Sequence, residues 1–324
     1  MKILITGGAG YLGNVLVEHL LAANDAWPKP LLYDVTVLDN LLYKQPCLTE
    51  YCWRDDFKFI CGDVRDEKLF GKLTSENDII IHLAAYVGMP ACRKFPSETV
   101  AVNYGSSKFL ADNISKSQVV IYPTTNSGYG VGQVVDDQTV HCTEETPLKP
   151  ISLYGETKCD AEKALLDCGS AITLRLATVF GVSRRMRLDL LVNDMVYRAF
   201  NDKFIVLFES HFMRNFIHIR DIAYTFKFCI HGYETMIGQP FNVGNTNINM
   251  SKMNLCLAIK KQIPDFYITE SPINKDPDQR NYVVSNAKLE SLGWSCKFDL
   301  DRGVKELIRA YSVIKNVNTS FTNI

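Results

Sequence analysis

Tyr154 and Lys158, four residues apart, form the pair of side chains in this sequence best suited to acid–base chemistry. Residues four apart on a helix lie on one face, with Cβ atoms about 5–6 Å apart. A free tyrosine has a pKa of about 10, so almost none of it is phenolate at pH 7. An ammonium group and a second positive charge nearby could lower that pKa by ~3 units, which requires about 4 kcal/mol. The phenolate could then take a proton from a hydroxyl group while hydride leaves the same carbon.

Glycines recur at every third position within residues 6–13. The apolar run 2–6 precedes them, and apolar residues at helical spacing follow from Leu12, so the glycines mark a strand-to-helix turn. Glycine lets the backbone approach a pyrophosphate closely, and the helix that follows offers free N–H groups and its positive dipole end. The pattern predicts a dinucleotide-binding turn, with contacts from Gly7, Gly10, Tyr11, Leu12 and Gly13.

Asp39 ends the second predicted strand, which covers residues 34–39. A carboxylate at this place accepts hydrogen bonds from the ribose diol of an adenosine and repels a 2′-phosphate. No Arg or Lys follows until Lys44. The sequence therefore predicts that the dinucleotide is NAD rather than NADP, with Asn40 also among the cofactor contacts.

Alternating strand-like and helix-like segments continue to about residue 178 and predict an α/β protein with a doubly wound parallel sheet, the Rossmann arrangement. Beyond that residue the alternation fades. We therefore predict an NAD-binding domain over residues 1–178, to which residues 212–245 return, and a smaller α/β substrate-binding lobe over residues 179–324. The further predicted strands cover 57–60, 79–82, 119–122 and 171–175, and the predicted helices cover 104–115, 152–166, 188–200 and 252–261.

The composition of the 324 residues, 47% apolar and 22% charged, is that of an ordinary globular protein. The formal net charge of −1 and the lack of a run of 18 apolar residues give no reason to expect nucleic acid or a membrane as partner. The ten cysteines form no C-x-x-C pair and do not cluster with histidine, so no metal site is predicted and reduced thiols are expected. A first strand that begins at Lys2 leaves no room for a targeting peptide, which favours a cytoplasmic protein.

Further motifs resemble the extended short-chain dehydrogenase/reductase family, which includes the nucleotide-sugar epimerases and dehydratases. The resemblance covers nearly the whole sequence. Residues 62–64 are similar to the adenine-binding turn of the family, and residues 82–85 to the H-x-A-A segment that lines the cofactor. The structural alternatives are a helix N-cap for Asp63 and a satisfied strand-end histidine for His82. For His82 we favour the structural role. The resemblance implies cofactor contacts from Asp63, Val64, Leu83, Ala84 and Ala85.

After the fifth predicted strand, the family has a Ser or Thr that hydrogen-bonds the reacting hydroxyl. The matching residue here is Thr125, with Thr124 as its neighbour. The sugar 4,6-dehydratases of the family carry an Asp-Glu pair directly after this residue, which takes a proton from C5 and helps to expel the C6 hydroxyl. This sequence has Asn126 and Ser127 there, which are not useful acids or bases, so dehydration is disfavoured.

Hydride chemistry at one carbon leaves two outcomes open. A 4-epimerase oxidises C4, rotates the ketone and returns the hydride to the other face. A 4-dehydrogenase releases the ketone and passes the hydride to another acceptor, for which a 2-oxo acid is a candidate. A 3,5-epimerase would need a further acid/base pair, for which only Cys142 and Lys149 are candidates. A dinucleotide-sensing regulator is disfavoured, because such proteins typically lose the catalytic Tyr or Lys.

The second half of the sequence resembles the substrate-binding part of the family. Residues 214–221 are similar to the segment R-[DN]-[FY]-I-H-V-x-D, whose Arg clamps a diphosphate bidentately. The basic run 184–187 is either a solvated loop or a clamp for the substrate. At Thr178 the family often has Asn, so this sugar contact departs from the family pattern. The resemblance implies substrate contacts from Thr124, Thr125, Asn126, Thr178, Arg185, Arg187, Asn193, Arg214 and Arg280.

Residues 122–130 and 184–208 are most similar to the family members that oxidise C4 of GDP-linked heptoses. This resemblance implies a GDP-heptose or GDP-mannose type of substrate, tightly held NAD and a role in capsule or surface polysaccharide synthesis. The chemistry of the residues alone predicts only that the cofactor is NAD and that the substrate is a phosphorylated or nucleotide-linked polyol. The family also implies a homodimer that forms through two helices, one of which carries Tyr154. The apolar side of that helix fits either a dimer or the core and consists of Ala161, Ala164, Leu165 and Leu166.

Overall fold

The computed structural model describes residues 1–25, 32–44, 46–131, 134–135, 138–139, 141–271, 280–314 and 321–323. Its strands are β1 Lys2–Thr6, β2 Asp34–Asp39, β3 Phe57–Cys61, β4 Ile79–His82, β5 Val119–Thr125, β6 Val134–Val135, β7 Gln138–Thr139, β8 His141–Cys142, β9 Ala171–Leu176, β10 Thr178–Phe180, β11 Phe204–Leu207, β12 Met213–His218, β13 Pro240–Val243, β14 Asn249–Ser251, β15 Tyr267–Glu270 and β16 Val283–Val284. Its α-helices are α1 Tyr11–Asn24, α2 Glu67–Ser75, α3 Met89–Lys94, α4 Pro96–Thr99, α5 Ser106–Asn113, α6 Leu153–Asp167, α7 Leu191–Asn201, α8 Ile219–Met236, α9 Lys252–Gln262, α10 Ala287–Glu290 and α11 Leu300–Val313.

Seven parallel strands form the main sheet, in the order β13-β9-β5-β4-β1-β2-β3. Chain order reverses between β1 and β4, which pair with Thr6 opposite His82. At such a switch point a crevice opens outside the carboxyl ends of the strands, where proteins of this class bind ligands. The predicted doubly wound parallel sheet is confirmed.

The strands of this sheet are apolar on both faces because helices cover both faces. Ile3 and Ile5 of β1 pack with α1 and α8 on one face. Leu4, which lies between them, packs with α2, α5 and α6 on the other face, since side chains alternate along a strand. All three side chains are fully buried. The short apolar run that precedes the glycines is therefore the centre of the core.

Three elements differ from the sequence-based prediction. β5 extends to Thr125 because Thr124 and Thr125 pair with the end of β9, so these threonines end a strand rather than begin a loop. The helix predicted over residues 104–115 is a π-helical turn over Val100–Gly105 followed by α5. The sequence pattern did not predict β13, which lies in the segment 212–245 and pairs with β9.

The remaining strands and helices build a second, smaller layer beside the carboxyl edge of the sheet. One small sheet has the order β10-β12-β14, and another pairs β11 with β15. α7, α9 and α11 pack against these strands around an apolar cluster that includes Phe180, Phe216 and Phe266. This layer forms a wall opposite the crevice of the main sheet.

None of the described helices combines the length and apolar character needed to cross a bilayer. Within the same part of the chain, no group of three or more His, Cys, Asp and Glu side chains is placed to hold a metal ion. All ten cysteines are free thiols.

A buried ion pair joins α6 to the main sheet. Arg175 in β9 donates to Glu162 in α6, with Nη2–Oε1 2.6 Å and Nε–Oε1 3.0 Å. The guanidinium also donates to the hydroxyl of Tyr129 at 3.1 Å and to the carbonyl of Glu144 at 3.0 Å. Both charged side chains are almost fully buried. Because α6 carries the Tyr–Lys pair, this contact fixes the helix relative to the sheet.

We expect Arg175→Met to lower the free energy of unfolding by about 3–5 kcal/mol, because it leaves the Glu162 carboxylate buried without its partner. Chemical denaturation of both proteins measures the difference. The double variant Arg175→Met/Glu162→Leu should recover part of the loss, since neither charge then remains buried. Equal stability of the single variant and the wild type would contradict this role of the pair.

Candidate active site

One large cavity of about 860 Å³ lies at the carboxyl edge of the main sheet, between the sheet and the smaller layer. It extends over the ends of β1, β2 and β4 to the start of α6. The structure brings most of the predicted site residues to this cavity. Its lining includes Gly7, Gly10, Tyr11, Leu12, Gly13, Asp39, Asn40, Asp63, Val64, Leu83, Ala84, Ala85, Thr124, Thr125, Tyr154, Lys158, Thr178, Arg185, Arg187, Arg214 and Arg280.

The turn between β1 and α1 has no room for a side chain at Gly7 or Gly13. Gly7 has a φ of +70°, and a Cβ there would lie 2.7 Å from the backbone nitrogen of Ala84. A Cβ on Gly13 would lie 2.4 Å from the carbonyl oxygen of Gly7. Gly10 is the N-cap residue of α1, and no side chain caps the helix there. The first N–H groups of α1 therefore remain available for an anion, as the pyrophosphate of a dinucleotide requires.

Asp39, at the end of β2, is held by the backbone on both sides. Its Oδ2 accepts from the N–H of Ala9 at 3.0 Å, and its Oδ1 accepts from the N–H of Leu41 at 2.8 Å. Burial raises the pKa of Asp39, and these two backbone hydrogen bonds oppose the rise. Each carboxylate oxygen can accept two hydrogen bonds, so acceptor capacity remains for a ribose diol.

Asp63 lies beside Asp39 at the same end of the cavity. The hydrogen bond from Arg65 holds the pKa of Asp63 well below its usual range, and the amide of Asn40 also donates to this carboxylate at 3.0 Å. The structure excludes the helix N-cap alternative for Asp63, since the N-cap residue of α2 is Asp66. The adenine contact predicted for Asp63 stays a prediction.

We expect Asp39→Asn to lower the affinity for NAD by about 10- to 100-fold, because a hydrogen bond to a charged group contributes about 1.5–3 kcal/mol. The amide oxygen can still accept one backbone hydrogen bond, so the turn should stay folded. NADP should lose less affinity than NAD, because the charge that repels its 2′-phosphate is gone. Equilibrium binding of both dinucleotides measures the ratio, and an unchanged ratio would exclude the proposed ribose contact.

The opposite end of the cavity holds Thr125, Tyr154 and Lys158. α6 begins at Leu153, and the hydroxyl of its N-cap residue Ser152 accepts from the N–H of Gly155 at 3.2 Å. This cap places Tyr154 in the first turn of the helix and Lys158 one turn later. The ammonium group of Lys158 lies 3.8 Å above the ring of Tyr122.

Two arginines lower the pKa of the Tyr154 phenol. Burial raises its pKa to about 12, whereas Arg187, Arg280 and a hydrogen bond with Thr125 act to lower it. Burial also lowers the pKa of Lys158 to about 7. The sequence analysis expected Lys158 to provide the cation that stabilises the phenolate. In the structure its ammonium group faces an aromatic ring, and the guanidinium groups of Arg187 and Arg280 are the cations that lower the phenol's pKa.

Two arginines of the basic run 184–187 are buried rather than solvated. The guanidinium of Arg185 stacks on the ring of Tyr43 at 3.9 Å, and its side chain is 1% exposed. Arg187 is also buried and pairs with Asp189, with Nη2–Oδ2 2.6 Å. The solvated-loop alternative is therefore wrong for both arginines, which line the cavity.

Arg214 and Arg280 lie together at another part of the cavity wall. Arg214 is buried, and its Nη1 donates to the carbonyl of Met213 at 2.9 Å and to the carbonyl of Arg280. Its guanidinium also lies 5.7 Å from the ring centre of Tyr282. Thr178, at the start of β10, lines the same cavity. The two guanidinium groups make this region positively charged.

Two predicted substrate contacts need correction. Asn193 is fully buried, and its amide donates to the hydroxyl of Tyr11 and the carbonyl of Arg187 while its oxygen accepts from the N–H of Gly181. It therefore holds the loop before α7 in place instead of facing the cavity. Asn126 is also buried and does not line the cavity, because the chain turns away into a short 3-10 helix after β5.

Asn103, in the π-helical turn, is a candidate positioning residue that the sequence analysis missed. Its Oδ1 accepts from the N–H of Tyr86 at 2.8 Å, and its Nδ2 donates to the hydroxyl of Thr157 at 3.3 Å. It thus connects the loop after β4 to α6. No local motif marks a single Asn that precedes a predicted helix. His82 is fully buried between the hydroxyls of Thr6 and Ser106, as expected for a satisfied strand-end histidine.

Comparisons with known proteins agree with this geometry. Residues 3–244 match the family model described as the NAD dependent epimerase/dehydratase family. The low-salt glycan biosynthesis protein Agl12 of Haloferax volcanii is 23% identical over 96% of this chain and 98% of that protein. UDP-glucose 4-epimerase of Lactobacillus helveticus is 25% identical over 92% of this chain and 93% of that protein. The structure of dTDP-glucose 4,6-dehydratase from Bacillus anthracis with NAD superposes with a TM-score of 0.80 and 21% identity, covering 97% of each chain.

The chain belongs to the NAD-dependent epimerase/dehydratase family, because the match covers most of its length. It is an NAD-dependent enzyme, and its relatives include nucleotide-sugar epimerases and dehydratases. The resemblance to extended short-chain dehydrogenases/reductases and the predicted cofactor are thereby confirmed.

Proposed function

We propose that this enzyme oxidises the C4 hydroxyl of a nucleotide-linked sugar, of the GDP-heptose or GDP-mannose type, to a 4-keto sugar. The observation that carries the proposal is the meeting of Thr125, Tyr154 and Lys158 at one end of a cavity whose other end is Asp39. A dinucleotide bound between the two ends would have its ribose at the acceptor Asp39 and its nicotinamide near the acid–base group. The product would serve capsule or surface polysaccharide synthesis.

Tyr154 is the proposed general base. Thr125 would hold the sugar hydroxyl beside the phenol, and Tyr154 would take its proton as hydride leaves C4. The hydroxyl of Thr125 is itself held at 2.5 Å by the hydroxyl of Ser127, which fixes its position. NAD, when bound, supplies the hydride acceptor and a positive charge that adds to those of Arg187 and Arg280. Lys158 would hold the nicotinamide ribose.

Arg214 and Arg280 are the proposed diphosphate contacts. Guanidinium groups suit this role because their planar fork matches the oxygens of a phosphate. Arg185 and Arg187 would lie near the sugar, whereas Arg280, which acts on Tyr154 as Arg187 does, would lie between the sugar and Arg214. A nucleotide sugar would thus extend from Tyr154 toward Arg214.

Dehydration is not proposed, because the residues after Thr125 cannot perform it. A 4,6-dehydratase needs an acid and a base beside C5 and C6. Here Asn126 turns away from the cavity, and the hydroxyl of Ser127 bonds to Thr125. Neither side chain could take a proton from C5.

The choice of GDP rests on resemblance to GDP-glycero-manno-heptose 4-dehydrogenases of capsular heptose synthesis, in residues 122–130 and 184–208. The relatives named above act on UDP- and dTDP-linked sugars, and one takes part in glycan biosynthesis. They support a nucleotide sugar in general. The alternative function is a nucleotide-sugar 4-epimerase, which the UDP-glucose 4-epimerase relative supports.

We also propose a homodimer that forms through α5 and α6. Ala161 and Leu165 face the core and are fully buried, so they do not contribute to such an interface. Ala164 and Leu166 are only partly buried and remain available for it. Sedimentation equilibrium would measure the mass, and a monomer would exclude the proposal.

Product analysis by NMR tests the proposed reaction. The protein is incubated with GDP-heptose and GDP-mannose, with and without a 2-oxo acid as hydride acceptor. We expect a 4-keto sugar whose yield depends on the acceptor. An inverted C4 hydroxyl formed without any acceptor would instead establish the 4-epimerase. No change in either sugar would exclude the GDP-linked substrate, and UDP- and dTDP-glucose would then be tested.

A further inference from the structure

Residues 321–323, here called the roof segment, lie outside the part of the chain that matches the family model. They nevertheless reach the cavity. The carbonyl of Phe321 accepts from the N–H of Leu188 at 2.8 Å, and the carbonyl of Thr322 accepts from Nη2 of Arg185 at 3.1 Å. The roof segment is thus fixed to the loop that carries the arginines of the cavity.

Asn323 lines the cavity directly. Its side-chain amide donates to the carbonyl of Val87, in the loop after β4, at 3.4 Å. Its residue exposure is only 7%, and its Oδ1 is buried with no hydrogen-bond partner among the described residues. A buried carbonyl oxygen without a donor costs about 1–3 kcal/mol, so a ligand hydroxyl that donated to this atom would be stabilised there.

The position of Asn323 favours the sugar over the adenosine. Ala84, nearer the sheet in the loop after β4, contacts the glycine turn, whereas Val87 lies three residues farther along the loop. The neighbour of Val87, Gly88, faces Arg187, whose guanidinium would lie 3.9 Å from a Cβ at that position. Arg187 also acts on the phenol of Tyr154. Asn323 is therefore on the side of the cavity where the reacting sugar would lie.

We propose that Asn323 is a specificity-determining residue whose Oδ1 accepts a hydrogen bond from a hydroxyl group of the bound sugar. The proposal rests on the proposed function, in which the cavity binds a nucleotide sugar. Asn323 then recognises the sugar by this hydrogen bond, while Arg214 and Arg280 bind the diphosphate. This division of roles predicts that a change at residue 323 separates sugar recognition from nucleotide recognition.

Calorimetric titration of the NAD-loaded protein tests this inference. The probes are GDP-heptose, GDP-mannose, UDP-glucose, dTDP-glucose and the corresponding nucleoside diphosphates. For the nucleotide sugar that the wild type binds most tightly, we expect Asn323→Ala to lower the affinity about tenfold. The affinity for its nucleoside diphosphate should not change. Asn201→Ala, on the exposed surface of α7, is the matched control and should leave both affinities as in the wild type.

The other outcomes overturn either the role of Asn323 or the proposed function. If Asn323→Ala leaves the nucleotide-sugar affinity at the wild-type value, the role of Asn323 is wrong and the proposed function stands. A tenfold loss of NAD affinity would show that Asn323 contacts the cofactor and would also overturn the role. A wild type that binds none of the nucleotide sugars would overturn the proposed function, and with it the sugar contact. Thermal unfolding of both variants verifies that each protein is folded.

Discussion

Tyr154→Phe is expected to lower kcat by about 10³- to 10⁴-fold, at the upper end of the range for loss of a general acid or base. The substitution removes one oxygen atom and keeps the ring that fills the cavity wall. The N-cap of α6, formed by Ser152, does not involve the phenol. NAD and nucleoside diphosphate should therefore bind with wild-type affinity, because Asp39, the glycine turn and Arg214 are unchanged.

Single-turnover reduction of bound NAD, followed by absorbance, measures this effect separately from substrate binding. Thr125→Ser is a suitable control, since it keeps the hydroxyl beside the phenol and should retain most of the activity. Full turnover in the phenylalanine variant would rule out Tyr154 as the base. Loss of NAD binding together with turnover would mean that the variant had disturbed the cavity rather than the proton transfer.

Gly13→Ala is expected to abolish measurable NAD binding. The added Cβ would lie 2.4 Å from the carbonyl oxygen of Gly7 and 2.6 Å from the Cα of Gly8. Both are backbone atoms of the turn, so the methyl group forces α1 away from β1 at the place where a pyrophosphate would approach. Equilibrium titration with NAD measures the loss.

Gly105→Ala provides the matched control. Its Cβ would lie 3.7 Å from the carbonyl oxygen of Val100, an ordinary contact, so the same substitution should leave NAD affinity unchanged. If Gly13→Ala bound NAD like the wild type, the glycine turn would not be the pyrophosphate site. Circular dichroism of both variants distinguishes a local change at the turn from general unfolding.

Local sequence patterns predicted the elements that carry the cavity. The glycine spacing and the apolar run before it locate the turn between β1 and α1, because both are determined by neighbours along the chain. The ends of β2 and β4 follow from short apolar runs in the same way. The pattern missed β13, since Pro240–Val243 is too short to stand out and is defined by its pairing with β9.

Contacts between distant residues could not be predicted in this way. Arg187 and Arg280 are 33 and 126 residues away from Tyr154 in sequence, and only the folded chain brings their charges to its phenol. Asn193 matched a family motif, yet its burial beside Gly181 decides its role. Asn323 belongs to no motif, and its place in the cavity depends on the hydrogen bond that its neighbour Thr322 accepts from Arg185, 137 residues earlier.

If the enzyme is a dehydrogenase, the sugar and the final hydride acceptor must use the same cavity, which has a kinetic consequence. The sugar and any second hydride acceptor must both present their reacting carbon beside Tyr154, so the two cannot be bound there together. The ketone must leave before the acceptor enters, while the reduced cofactor stays in place between the two half-reactions. Such an enzyme works by substituted, ping-pong turnover, in which the dinucleotide behaves as a resident prosthetic group and not as a co-substrate.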